Sequence, residues 1–189
     1  MKAHVELALA AALLWGAACE TTIVAPKQNT PPSGDGGESG ADLLGAASRC
    51  TSGAYRDPNA SEGPEMMPGV ACNACHAEAN AASGEGDAPI FAFAGTVFPS
   101  AHEPDTCIAP EGEGALVVVR DGNGAEFSAT VNAVGNFSLE ASELVVPITA
   151  RVIAGGRERS MVRPAAHGDC NLCHSRGGSF AAPGRIVLP

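Results

Sequence analysis

One five-residue pattern occurs twice in this chain of 189 residues: Cys72-Asn73-Ala74-Cys75-His76 and Cys170-Asn171-Leu172-Cys173-His174. Residues at i, i+3 and i+4 share one face of a helix. Each copy therefore needs at least one helical turn, with two sulfurs and an imidazole on the same side. The stretch between the copies must fold as something else. Large aromatic anchors are scarce, with one Trp, one Tyr and six Phe. A core has to come from Val, Ala, Leu and those Phe residues, or be completed by something that is not protein. The length suits one compact domain, or a small domain with appendages.

The spacing C-x-x-C-H is the attachment motif of c-type haem. Two sulfurs on one helical turn reach the two vinyl groups on one side of a porphyrin, and the adjacent imidazole reaches the iron. This reading takes Cys72, Cys75, Cys170 and Cys173 as attachment residues for two covalently bound haem c groups. His76 and His174 are then the proximal iron ligands. Two other chemistries use the same sulfurs. A Cys₄ zinc site would take both C-x-x-C pairs but leaves His76 and His174 unexplained. Two redox dithiols would become disulfides in an oxidising compartment. The segments after the motifs form a loose repeat: a Gly-rich stretch, then Ala88-Pro89-Ile90 in one copy, and Ala182-Pro183 with Ile186 in the other.

The N-terminus speaks for an oxidising compartment. Lys2 gives a positive start, residues 7–15 are apolar, and Gly16-Ala17-Ala18 are small. Cys19 follows directly. The arrangement resembles the lipobox of bacterial lipoproteins, with Gly16 where that family prefers Leu. The resemblance implies that Cys19 carries lipid. A plain cleaved signal peptide is the alternative. No apolar run reaches the roughly 18 residues of a membrane span. Residues 20–48, rich in Pro, Gly and Ser, have no hydrophobic period and read as a tether.

Counting the remaining cysteines and histidines narrows the rest. Cys50 and Cys107 are left over in an exported chain and are expected to form a disulfide. His102 and His167 are left over once the motifs and the signal segment have taken theirs. They are the candidate distal iron ligands, with Met66, Met67 and Met161 as rivals. His102 lies in a Pro-bounded loop beside Cys107, which favours the first haem as its target. His167 lies three residues before Cys170, too close to wrap over the second haem, and is expected to serve the first.

Between the motifs the pattern is β. Strands are expected at 91–98, 114–119, 127–131, 137–139, 144–146, 149–154 and 157–162, with turns at Asp121-Gly122-Asn123-Gly124, Gly135-Asn136 and Gly155-Gly156. The Asp121 turn lacks the further ligands of a calcium loop. Gly95-Thr96-Val97, Gly114-Ala115-Leu116-Val117-Val118-Val119 and Asn132-Ala133-Val134-Gly135-Asn136-Phe137-Ser138-Leu139 resemble the carboxypeptidase regulatory-like, transthyretin-like sandwich of bacterial surface proteins. That resemblance covers about 70 residues and implies a rigid non-catalytic module. The expected fold is mainly β: a small seven-strand β-sandwich flanked by two short helical haem segments. The expected organisation is 1–18 signal peptide, 19–49 lipid-anchored tether, 50–89 first haem segment, 90–163 sandwich and 164–189 second haem segment.

The net charge of −10 argues against nucleic acid, whose phosphates need a basic face. No nucleophile–base constellation is readable. The expectation is a one-electron carrier or relay rather than an enzyme, periplasmic or at the outer membrane or cell surface. Its partners would be redox proteins and, through the N-terminal lipid, a membrane. A haem peroxidase, a redox or gas sensor, and a zinc-binding surface lipoprotein are the alternatives. Known dihaem peroxidases are much longer chains.

Overall fold

A computed structural model describes residues 49–59, 62–140 and 143–189. The expected signal segment, the lipidation site Cys19 and all of the tether but residue 49 lie outside the described residues. The described chain runs α1 (Cys72–Ser83), β1 (Phe91–Phe98), a 3₁₀ turn (Pro110–Gly112), β2 (Leu116–Arg120), β3 (Glu126–Thr130), β4 (Asn136–Glu140), β5 (Thr149–Ala154), β6 (Arg157–Ser160), α2 (Cys170–Cys173) and β7 (Ile186–Val187). Among the described residues no helix is long and apolar enough to cross a membrane.

The fold is mainly β, in two sheets of order β4-β1-β7 and β3-β2-β5-β6. The strands are rich in Phe, Val and Ile, residues that fill a pleated, half-buried surface. The turns follow from local chemistry. Asp121 Oδ1 accepts the amides of Asn123 and Ala125 at 2.9 and 2.8 Å, closing the β2–β3 hairpin in register Arg120↔Glu126. Gly155 and Gly156 have φ of 55° and 75°, the pair of positive values a two-residue hairpin turn needs between β5 and β6. Phe93 and Val97 of β1, Phe137 of β4, Val117 and Val119 of β2, and Val152 of β5 meet in one core.

One expected strand is absent and another takes its place. Residues 144–146 do not join a sheet. Val145 instead donates its amide to Asp121 Oδ2 and accepts the Gly122 amide, and Pro147 follows with no donor for a ladder. Val145 and Val146 remain exposed. The seventh strand is β7, from the C-terminal segment, which pairs in parallel with β1 at Val97↔Ile186 and Phe98↔Val187.

The expected Cys50–Cys107 disulfide is present, with a sequence separation of 57. In the chain-entropy view such a loop contributes about 4 kcal/mol. It encloses α1 and packs with Phe98 and Ala109 in a second small cluster beside β1.

β1 positions everything that follows. One edge pairs with β4. The other is closed by the C-terminal segment in three steps. The Ala94 amide donates to Gly168 O at 3.0 Å, the Thr96 amide donates to Asn171 Oδ1 at 3.1 Å, and β7 then takes over. Gly168 makes the first step possible. A Cβ there would lie 1.8 Å from Ala92 O.

Candidate functional site at the paired motifs

The first motif opens α1 and the second is α2 itself. Both lie against β1, and each is held there by the asparagine that follows its first cysteine. Asn73 receives the Phe91 amide at 2.9 Å and donates to Phe91 O at 2.8 Å, as a strand neighbour would. Asn171, almost fully buried, receives the Thr96 amide and donates to Thr96 Oγ1 and Val70 O at 3.1 and 2.9 Å. Sequence reasoning missed these two residues. The signal was available: the same residue type occupies the same place in both copies.

The two motifs touch. Asp169, just before Cys170, accepts the Ala74 amide of the first motif on Oδ2 at 3.0 Å. Three thiols gather around this contact as free cysteines: Cys72, Cys170 and Cys173. Cys75 is disulfide-bonded. Burial pushes the Cys72 thiol up to about 12, and the Asp169 charge adds to the effect. Burial likewise raises Cys170 to about 12, with the charges of Asp169, Cys72 and Cys173 contributing. Cys173 is raised by burial and by Asp169. These sulfurs are held as neutral thiols at physiological pH. Burial also lifts the Asp169 carboxyl above its usual range, against the pull of the neighbouring amides and His167.

The motif histidines share one geometry. His76 is buried, its ring 5.5 Å from that of Phe91, and its Nδ1 faces Pro89 O in a short hydrogen bond. His174 Nδ1 faces Gly184 O at 2.9 Å. A carbonyl only accepts, so each Nδ1 carries the proton and each Nε2 carries the lone pair. No hydrogen bond among the described residues engages either Nε2. The two carbonyls come from the Ala-Pro exits of the loose repeat, one from Pro89 itself and the other from Gly184, the residue after Pro183. Apolar side chains stand open to solvent beside both motifs: Ile90, Leu172 and Phe180, the last 82% exposed.

The candidate distal residues are placed unevenly. His102 lies beside the second motif rather than the first. Its Nδ1 bonds Arg176 O at 2.8 Å, and its ring is in contact range of Gly184. His167 lies against its own motif, Nε2 at 3.7 Å from Cys173 Sγ. Its Nδ1 is buried without a partner, as is Asp169 Oδ1. Met66 and Met67 precede the first motif, the former accepting Asn136 on its carbonyl. Met161 lines a cavity of about 270 Å³ with Arg151 and Glu158, on the four-stranded sheet.

A buried arginine ties the two segments together. Arg185 donates to Glu103 O at 2.9 Å and Gly69 O at 2.8 Å, pairs with Asp105, and lies over the Phe98 ring. Gly69 precedes the first motif and Arg185 follows the second. Glu103 is itself fully buried, satisfied by Ser100, the Thr51 amide and the Thr51 hydroxyl. Its carboxylate stands near Cys50 and Cys107. The disulfide leaves neither sulfur as a thiolate, so this trio offers no metal-binding set while the bond is intact.

Comparison with family models, curated proteins and solved structures finds no match for this chain.

Proposed function

We propose that the chain is an exported, lipid-anchored dihaem c-type cytochrome that relays single electrons between redox proteins. The observation that carries this reading is the paired histidine geometry. In both motifs a backbone carbonyl holds Nδ1–H and leaves Nε2 with a free lone pair, the arrangement a metal-ligating histidine adopts. The motif cysteines sit at i and i+3 of a helical turn, and exposed apolar side chains flank both copies. Neutral, half-buried thiols suit sulfurs that end as uncharged thioethers.

In this reading Cys72, Cys75, Cys170 and Cys173 hold the two rings and His76 and His174 ligate iron. The haem supplies the one-electron couple. The chain's own residues do the rest. Pro89 O and Gly184 O fix the imidazole tautomers, Asn73 and Asn171 fasten the motifs to β1, and Ile90, Leu172 and Phe180 exclude water from apolar faces. The Cys75 disulfide would have to be reduced by an external dithiol, itself oxidised to a disulfide, before the Cys75 thiol could add to a haem vinyl group. His102 and His167 remain the distal candidates, now both grouped around the second motif.

The alternative is a zinc site on the cysteines of the two motifs. Among the described residues these sulfurs, His167 and Asp169 do not bring three ligand atoms within reach of one ion, so the chain would have to rearrange to bind it. One measurement separates the two. The chain is produced in a host with cytochrome c maturation, and its intact mass and pyridine haemochrome spectrum are recorded. Two covalent haems are expected, one lost with Cys72→Ala/Cys75→Ala and the other with Cys170→Ala/Cys173→Ala. A haem-free mass with one bound zinc would replace the cytochrome reading.

A further inference from the structure

We infer that the two motifs are one coupled unit, and that Asp169, at the entry to the second motif, is the positioning residue for the first. The inference rests on the haem reading only where haem is the reporter.

Helix α1 carries the first motif but has no N-terminal side-chain cap of its own. Its N-cap residue is Ala71, which has no side-chain acceptor. The first-turn amides of a helix have no partner within it and must find one. The acceptor comes from the far end of the chain. Asp169 Oδ2 takes the Ala74 amide at 3.0 Å across a sequence separation of 95. A carboxylate at this place also meets the positive end of the helix dipole.

The cap is rigidly mounted. Asp169 is 6% exposed, forms a parallel bridge with Ala94 of β1, and follows Gly168, whose carbonyl receives the Ala94 amide. Asn171 reaches the same segment from the other side of Cys170, donating to Val70 O. Residues 169–171 thus grip residues 70–74 at two points. In α2 the Leu172 amide is taken by the backbone carbonyl of the same Asp169. The groups facing Asp169 are His167 and the thiols of Cys72, Cys170 and Cys173.

A change beside Cys170 should therefore be read out at Cys72–His76. The test uses the full chain in a Cys170→Ala/Cys173→Ala background, where only the first motif can be loaded. Asp169→Ala and Asp169→Asn are compared with that background. Hydrogen exchange of the α1 first turn, the midpoint potential and the electron paramagnetic resonance spectrum of the single haem are recorded. Asp169→Ala should speed exchange at the Ala74 amide about fivefold, the effect of losing one helix cap, and shift both haem signals. Asp169→Asn keeps an acceptor oxygen and should restore the protection while leaving the potential shifted by the lost charge. Unchanged exchange and unchanged haem signals in both variants would overturn the inference. A chain that carries no haem, yet gains exchange at Ala74 in Asp169→Ala, would sink the haem reading and leave the coupling standing.

Discussion

The two motif segments carry the same pattern on different supports. In the first, the motif begins a helix of 12 residues that closes with Gly84 in the left-handed region, φ 74°. In the second, the helix is four residues long and His174 has already left it, at φ −85° and ψ 50°. A helix that short has almost no stability of its own, because nucleation is costly and propagation has not begun. Its shape is imposed by β1, by Gly168 and by the Arg185 clasp. The first segment lies inside the Cys50–Cys107 loop, whereas the second lies outside it and is fastened by β7. The lesson is that one chemical pattern can be held by local helix structure plus a borrowed cap, or almost wholly by tertiary contacts.

The sharpest way to break the comparison is Arg185→Met. The change removes donors from two buried carbonyls, Glu103 O and Gly69 O. Unsatisfied buried groups cost about 1–3 kcal/mol each, so the loss should be roughly 4 kcal/mol in urea unfolding. Because Arg185 bridges both segments, hydrogen exchange should rise around Gly69 and around His174 together. A loss confined to one segment would show that the clasp is not shared.

Gly168→Ala should separate the segments. Its Cβ would meet Ala92 O, a backbone atom that cannot swing aside. The expected cost is about 1–3 kcal/mol, the range for forced overpacking. The second motif should lose haem loading far more than the first, read as the ratio of single-haem to double-haem mass. Equal losses at both motifs would contradict the division drawn here.

The smallest effect is on the haem-free chain, by timed alkylation. Cys72 and Cys170, raised to about 12, would carry a thiolate fraction at pH 8 of only about 10⁻⁴, against roughly 0.1 for a thiol at the ordinary 9.0. Both should resist iodoacetamide until the fold opens. Their folded values lie above the ordinary 9.0. The stability gained by burying them neutral is therefore complete below pH 9 and is lost as pH rises toward 12. Urea unfolding followed by circular dichroism should show that alkaline loss, and Cys72→Ser/Cys170→Ser should remove it. Rapid labelling of either residue at pH 8 in the folded chain would contradict the burial.

What the sequence determined was chemistry tied to local spacing. Two C-x-x-C-H copies, the Asp121 turn, the Gly155-Gly156 turn, strand β1 and the pairing of the two leftover cysteines were all legible, because each depends on neighbours or on elimination. What the tertiary structure decided depends on which segments meet. Residues 144–146 have the composition of a strand, but the Asp121 turn takes their hydrogen bonds and Pro147 ends the ladder. Ile186 and Val187 became a strand because the open edge of β1 needed a partner. His102 and His167 both gather at the second motif because loops and strand order, not counting, place an imidazole. Asp169 and Arg185 carry no motif at all. Their roles arise only when a chain end, folded back along β1, brings a carboxylate to an uncapped helix and a guanidinium to buried carbonyls.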